Sequence, residues 1–306
     1  MGREHALLLA RRGAKVVVND LGAQMNGVGR SSGPAHEVVE EIRGAGGTAV
    51  ADTHDVATEE GANEMIDLAI RHFGRLDIVV HNAGIVTFVP FSQMTYQQYR
   101  QLVSVHQDGG FLVAKAAWPH MLKQEFGRFV FITSLANMAG LAHYASAKGA
   151  LSSFVRVLAN EGAPHGIRSN ALSVIAYTRL MAAFFDPNSG HLDVGLHGQT
   201  AIEDWWRNNL RPDQVSQVMG WLAHENCVLT GETLFTGGGQ VCLQFVGLTH
   251  GHANAQVTPE EALAQQQAII DAGNGFHVFR SGGLDQWLFD RIIDGGAPPL
   301  PAPTPH

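Results

Sequence analysis

At 306 residues the chain is long enough to bury a large core, and it fits one sizeable α/β domain with an appendage. Hydrophobic residues make up 45% and charged residues 16%, an ordinary globular balance, and the net charge of -8 argues against a nucleic-acid partner, which would need a basic face. No apolar run approaches the roughly 20 residues needed to span a bilayer, and the start, Met1 to Ala10, is too short and mixed for a signal peptide, so no membrane partner is expected.

Taken in chain order, short β-branched runs at Lys15–Asn19, Thr48–Ala51, Leu76–His81, Arg128–Thr133 and Ile167–Leu172 read as strands. Amphipathic helices separate them. His36–Arg43 and Glu59–Phe73 carry apolar residues at three- and four-residue spacing, and Gly74 stands where a helix-ending glycine belongs. Glycine and proline make Leu21–Pro34 a loop. Longer helices are expected over Thr95–Gln124 and Ala145–Glu161. Residues 179–210 read as a short helical excursion rich in aromatics (Phe184, Phe185, Trp205, Trp206), either a lid on an apolar pocket or part of the core. A helix over Pro212–Glu225 then precedes a last strand at Thr233–Thr236. Near-continuous apolar strands alternating with helices imply a parallel sheet covered on both faces, a doubly wound Rossmann-type α/β fold spanning residues 1–240. Residues 241–306 form a C-terminal extension of different composition, with one helix at Pro259–Asp271 and a proline-rich end, Ala297–His306, expected to be disordered. Two cysteines, Cys227 and Cys242, make no disulfide framework and point to a reduced cytoplasmic compartment. The 16 histidines are scattered. Their closest pair, His250 and His252, has no carboxylate or cysteine company, so they read as surface or loop residues and no metal is expected.

Three signals carry chemistry. In Tyr144-Ala145-Ser146-Ala147-Lys148 the tyrosine and lysine stand four apart, on one face of a helix. A free tyrosine titrates near pH ~10, and a fixed cation nearby favours its phenolate, which turns it into a usable proton donor and acceptor. His81-Asn82-Ala83-Gly84 comes directly after an apolar strand, where open parallel sheets bind ligands and small residues let a flat cofactor approach. Asn19-Asp20 ends another strand; an acidic residue there can accept hydrogen bonds from an adenosine ribose and repels a 2′-phosphate, favouring NAD over NADP, or it can cap a turn. Asp55-Val56, after the next strand, either holds the adenine edge or places Asp55 as a helix cap.

In order and at strand ends, these residues resemble the short-chain dehydrogenase/reductase family over roughly residues 2–240. Asn82-Ala83-Gly84 is similar to its NAG motif and Tyr144-x-x-x-Lys148 to its catalytic pair. Val16 to Gly22, the glycine-rich loop after it, and Val38 to Ile42 resemble the dehydrogenase part of peroxisomal multifunctional enzyme type 2, a group acting on 3-hydroxyacyl-CoA and 17β-hydroxysteroids, with single-domain bacterial relatives. His106, in Val105-His106, supports that narrowing. The resemblance implies that His106 or its carbonyl joins Lys148 to a water chain, against the alternative of a packed helix histidine. It further implies that NAD lies across the carboxyl edge of the sheet, that Lys148 holds the nicotinamide ribose, and that Tyr144 takes the proton of a small-molecule substrate hydroxyl as hydride leaves. A serine should polarise the substrate oxygen. Thr178 matches a residue contacting the carboxamide or phosphate, or is a helix cap. Assembly as a homodimer or homotetramer is implied too.

Three departures stand out. The family opens with a strand and T-G-x-x-x-G-x-G, whose backbone approaches the pyrophosphate at a helix N-terminus. Here only Gly2 matches, with the helix Arg3–Arg12 after it. Without that strand, both neighbours keep unpaired backbone groups and the core has a gap. The expectation is that the start lies further upstream. After the fifth strand the run is Thr133-Ser134-Leu135 with a shortened loop, Ala136–His143: in strict register Leu135 takes the serine's place, while the short loop could bring in Ser134. Ser173-Val174-Ile175 replaces the usual Pro-Gly. The alternative to an active dehydrogenase is an impaired homologue that acts as a binding or assembly partner.

Overall fold

The computed structural model describes residues 1–136, 138–188, 195–249, 251–252 and 257–278. They fall into two compact units, Met1–Leu243 and Gln244–His306. The proline-rich end lies outside the described residues.

The first unit opens with helix α1 (Gly2–Arg11) and strand β1 (Lys15–Asn19), then α2 (Gly33–Gly44) and β2 (Thr48–Asp52). Helix α3 (Glu59–Phe73) starts at Thr58, whose side chain accepts from Gly61 N, and ends at Gly74 in the left-handed conformation, φ 78°. Strand β3 (Ile78–His81) comes next, then α4 (Tyr96–Val103), a π-turn (Ser104–Asp108) and α5 (Gly109–Gln124). Strand β4 (Gly127–Thr133), helix α6 (Ala142–Gly162) and strand β5 (Ile167–Val174) form the middle of the unit. The short α7 (Arg179–Ala182), then α8 (Thr200–Asn209), α9 (Pro212–Ala223) and β6 (Thr233–Gly237) lead to β7 (Gln240–Gln244). Gly238 and Gly239 both have positive φ, the two-residue turn that folds β7 back beside β6.

The sheet is split. Strands β3-β4-β5-β6-β7 form one five-stranded sheet, and β1 and β2 a separate parallel pair. Strands β3 to β6 are parallel. The gap between β1 and β3 stands where the family resemblance places a further strand. All seven residues of β4 are buried, so its alternating side chains feed two layers. Phe129 and Phe131 pack with α3, α5 and α6 on one face, while Val130 and Ile132 pack with α9 and Leu8 of α1 on the other. A third cluster, Ala6, Leu7, Val38, Val39, Ile42 and Ala49, holds α1 and α2 over the isolated pair.

In the second unit β8 (Gly247–Thr249) pairs antiparallel with β9 (Phe276–Val278). The helix expected over Pro259–Asp271 is two short ones, α10 (Pro259–Ala264) and α11 (Gln266–Ile270). No helix among the described residues is long and apolar enough to cross a membrane. The reading of the histidines as surface or loop residues is corrected: His5, His81, His106 and His143 are buried, each tied into the packing by a ring hydrogen bond.

Candidate active site

Helix α6 brings Tyr144 and Lys148 to the carboxyl ends of β4 and β5. Lys148 is 3% exposed, and its ammonium donates to Ile132 O at 2.6 Å. Thr133 Oγ1 donates to the backbone carbonyl of Lys148 at 2.7 Å, pinning this turn of the helix to the strand end. The ammonium stands 5.7 Å from the centroid of the Tyr144 ring. Burial lowers the pKa of Lys148 to about 7. Burial also raises that of Tyr144, opposed by a hydrogen bond from Ser134. The expected depression of the tyrosine by the lysine is therefore not the dominant influence here; desolvation is. Of the two residues competing after β4, Ser134 is the one that touches the Tyr144 hydroxyl, while Leu135 is 51% exposed. Ser134 Oγ also accepts from Ala136 N at 3.1 Å, which fixes it at the head of the shortened loop.

The π-turn places His106 against Tyr144, the two rings edge to face at 5.3 Å. His106 Nε2 lies 2.8 Å from Ile85 O, as a donated hydrogen bond, and Nδ1 is buried without a partner. The backbone carbonyl of His106 accepts from His81 Nε2 at 3.0 Å. Burial, and then the nearby charge of Lys148, hold the pKa of His106 well below its ordinary value and that of His81 at about 4, so both rings are neutral. The sequence motif assigns His81 no role. A histidine closing a buried apolar strand is the available signal, because such a ring needs a partner. Gly84 lies under His106: a Cβ there would sit 2.4 Å from His106 Cε1.

A cleft of about 1180 Å³ runs along the strand ends and into the gap between β1 and β3. Gly2, Asp20, Asp55, Val56, Asn82, Ala83, Gly84, His106, Tyr144, Lys148 and Thr178, all expected site residues, line it; Ser134 meets it through Tyr144. Asp20 Oδ1 accepts from Gly22 N, opening the glycine-rich loop, and the residue lines the cleft. Asp55 accepts from Ala57 N and lies 3.5 Å from Arg30, while Thr58 caps α3, so the capping alternative for Asp55 is set aside. Thr178 holds the N-cap position of α7, yet its side chain makes no cap hydrogen bond. At the head of α1, a Cβ on Gly2 would come within 2.9 Å of Asn82 Nδ2, and Asn82 Oδ1 is buried without a partner. A nicotinamide dinucleotide fits these features: an unpartnered buried amide oxygen on Asn82, free N–H groups at the start of α1, and an acidic residue, Asp20, after β1.

Beyond Tyr144 the excursion is core and wall at once. Phe88 meets Phe184 edge to face at 4.6 Å, and Phe185 meets Trp206 at 5.5 Å, in a cluster with Val86 and Leu141 against which Tyr144 and Tyr177 pack. Tyr177 donates to Glu203 Oε1 at 2.5 Å beneath the Arg207 guanidinium, 5.3 Å above its ring, which ties α8 to the strand end.

A family model described as enoyl-(acyl carrier protein) reductase matches residues 1–240. A short-chain type dehydrogenase/reductase of Mycobacterium tuberculosis is 39% identical over 244 residues, 79% of this chain and 79% of that protein. The structure of full-length peroxisomal multifunctional enzyme type 2 from Drosophila melanogaster superposes with a TM-score of 0.72 at 26% identity, covering 96% of this chain and 47% of that one. A 7α-hydroxysteroid dehydrogenase complexed with NADH and 7-oxo glycochenodeoxycholic acid gives 0.66 at 26% identity, covering 78% and 89%. The chain thus spans less than half of the multifunctional enzyme it resembles. It belongs to the short-chain dehydrogenase/reductase family, NAD(P)-dependent oxidoreductases acting on CH–OH groups.

Proposed function

We propose that this chain interconverts a secondary alcohol and a ketone on a bulky apolar substrate of the 3-hydroxyacyl or hydroxysteroid type, with NAD as cofactor. The observation that carries the reading is the convergence of Tyr144, Ser134 and Lys148 between the cleft and the apolar cluster of Val86, Phe88, Leu141, Phe184 and Phe185. The hydroxysteroid dehydrogenase with bound NADH, and the multifunctional enzyme, support cofactor and substrate class.

Gly2, Asp20, Asp55, Val56, Asn82, Ala83, Gly84, Lys148 and Thr178 would hold the cofactor, which supplies the hydride acceptor when bound. In the direction of ketone reduction the Tyr144 phenol, kept protonated by burial, gives its proton to the substrate oxygen; in the reverse direction its phenolate, favoured by the Ser134 hydrogen bond, takes the proton of the substrate hydroxyl. Ser134 donates to the same oxygen and stabilises the charge that develops on it. The Lys148 ammonium, 5.7 Å from the centroid of the Tyr144 ring, adds a positive charge beside the reacting group when it is protonated. The aromatic cluster excludes water and takes the apolar body of the substrate. His106 packs the Tyr144 ring in place.

Calorimetry with NAD and turnover of a panel of 3-hydroxyacyl and hydroxysteroid substrates test this together. Tyr144→Phe should abolish turnover, a loss of about 100-fold or more, and leave NAD affinity nearly unchanged. Retained turnover would remove Tyr144 from the scheme. NAD binding without turnover of any substrate would favour a second reading, a homologue that binds but does not react. The engagement of the Lys148 ammonium by Ile132 O is the observation on its side.

A further inference from the structure

The β1–β2 side of the cleft carries a side-chain cluster that stands apart from Tyr144, Ser134 and Lys148. Asp52, the last residue of β2, is buried, and three donors hold its carboxylate. Asn19, at the paired position on β1, donates from Nδ2 to Oδ2 at 2.5 Å. The backbone N–H of His54 donates to the same oxygen at 3.2 Å, and the His54 ring places Nδ1 2.7 Å from Oδ1. Asn19 also donates to the His54 carbonyl at 2.9 Å, so the backbone of His54 is tied to both strand ends. A buried carboxylate needs donors to replace the water it loses.

The bond to Asp52 also sets the state of the ring. A carboxylate only accepts, so the proton sits on Nδ1, and in the neutral imidazole Nε2 is left as an acceptor. His54 is half-exposed and lines the cleft, and its Nε2 makes no hydrogen bond among the described residues. Asp55 and Val56 line the same cleft beside it. Asp55 is already engaged: one oxygen accepts from Ala57 N and the other faces the Arg30 guanidinium at 3.5 Å. A dinucleotide whose nicotinamide lies at Tyr144 and Lys148 brings its other base to this side, past Asp20. An adenine there carries an exocyclic amine that needs an acceptor, and His54 Nε2 is one with no other use.

We propose that Asp52 and His54 select the base of the cofactor: His54 Nε2 accepts from the adenine amine, and Asp52 is a positioning residue that keeps the ring proton on Nδ1. This rests on NAD as the cofactor and names residues that choose it. A 6-amino base donates to such a nitrogen. A 6-oxo base sets a second acceptor against it, so neither group is satisfied. The pair therefore favours adenine dinucleotides over hypoxanthine ones.

Calorimetry on the full chain, with NAD and with nicotinamide hypoxanthine dinucleotide, tests this without turnover. NAD should bind about tenfold more tightly. His54→Phe keeps a flat ring, removes both nitrogens, and should bring the two dinucleotides to equal affinity by weakening NAD, with its folding checked by circular dichroism. In nitrogen-15 histidine spectra of the unaltered chain at alkaline pH, Nε2 of His54 should be unprotonated, and its resonance should move with NAD and not with the hypoxanthine analogue. Equal affinity of the unaltered chain for the two dinucleotides would overturn the proposal and leave NAD binding standing. A preference for NAD that persists in His54→Phe would assign the base to other groups and overturn it too. A ring proton found on Nε2 rather than Nδ1 would do the same. Binding of neither dinucleotide would remove the cofactor itself, and this selection with it.

Discussion

At the scale of single residues, burial without charge decides much of the chemistry. His5 is 2% exposed, its Nδ1 lies 2.7 Å from Ser216 Oγ, its Nε2 has no partner, and its pKa falls to about 3. His81 falls to about 4. Unfolded imidazoles titrate near ~6.5, so between these values the unfolded chain binds protons that the folded chain refuses. Stability is therefore lost as pH falls from about 6.5 toward 3 to 4, and is not lost on the alkaline side through these groups. Urea midpoints between about pH 7 and pH 4.5 should decline accordingly, and His5→Phe should flatten that slope by up to about 1.4 kcal/mol per pH unit. An unchanged slope would mean that His5 is protonated in the folded state or does not titrate in that window. The same residues mark how much of a site a sequence reveals. The four-residue spacing of Tyr144 and Lys148 puts them on one helical face by periodicity alone, whereas the choice between Ser134 and Leu135 rests on how a shortened loop turns. His81 meets His106 across 25 residues, and its partner is a backbone carbonyl that no side-chain pattern records.

Elements form where local chemistry and period agree. Helix α3 has apolar positions on one side, Glu59 and Glu60 in its first turn, Thr58 as cap and Gly74 as stop, and it spans the residues its pattern indicates. Thr58→Ala removes the hydrogen bond to Gly61 N and should cost about 1 kcal/mol, measurable by urea unfolding; a change within error would show that water replaces the cap. Helix α4 starts in a capping box between Thr95 and Gln98, at the position where the sequence pattern begins a helix. The segment after α4 is less legible. The π-turn at Ser104–Asp108 adds a residue to one turn without changing the apolar periodicity that surrounds it, so the pattern predicts a single helix over Thr95–Gln124. That added residue is what presents His106 to Tyr144 and its carbonyl to His81. Strand β7 escapes the sequence pattern for a different reason: Gln240, Val241 and Cys242 are exposed, so it has no buried side to print an alternation.

The whole molecule is held together unevenly. Strands β3 to β7 form one hydrogen-bonded body with a two-layered core on β4, while β1 and β2 keep their own apolar cluster beneath α1 and α2. The two parts meet through helix packing, α1 on α9 and α3 beside β1, with no backbone ladder between them among the described residues. An unbroken sheet opens as a single cooperative unit because each strand's loss exposes its neighbours; a sheet interrupted in the middle has no such linkage. Amide hydrogens of Val16 to Asn19 and Ala49 to Asp52 should thus exchange through a partial opening of lower free energy than those of Phe129 to Ile132, at denaturant concentrations where the larger sheet stays closed. Identical exchange free energies in both groups would show that helix packing couples the two parts without a ladder. Within residues 1–243, Asp20 and Asp55 thus belong to the half that opens first, and Tyr144 and Lys148 to the half that stays folded.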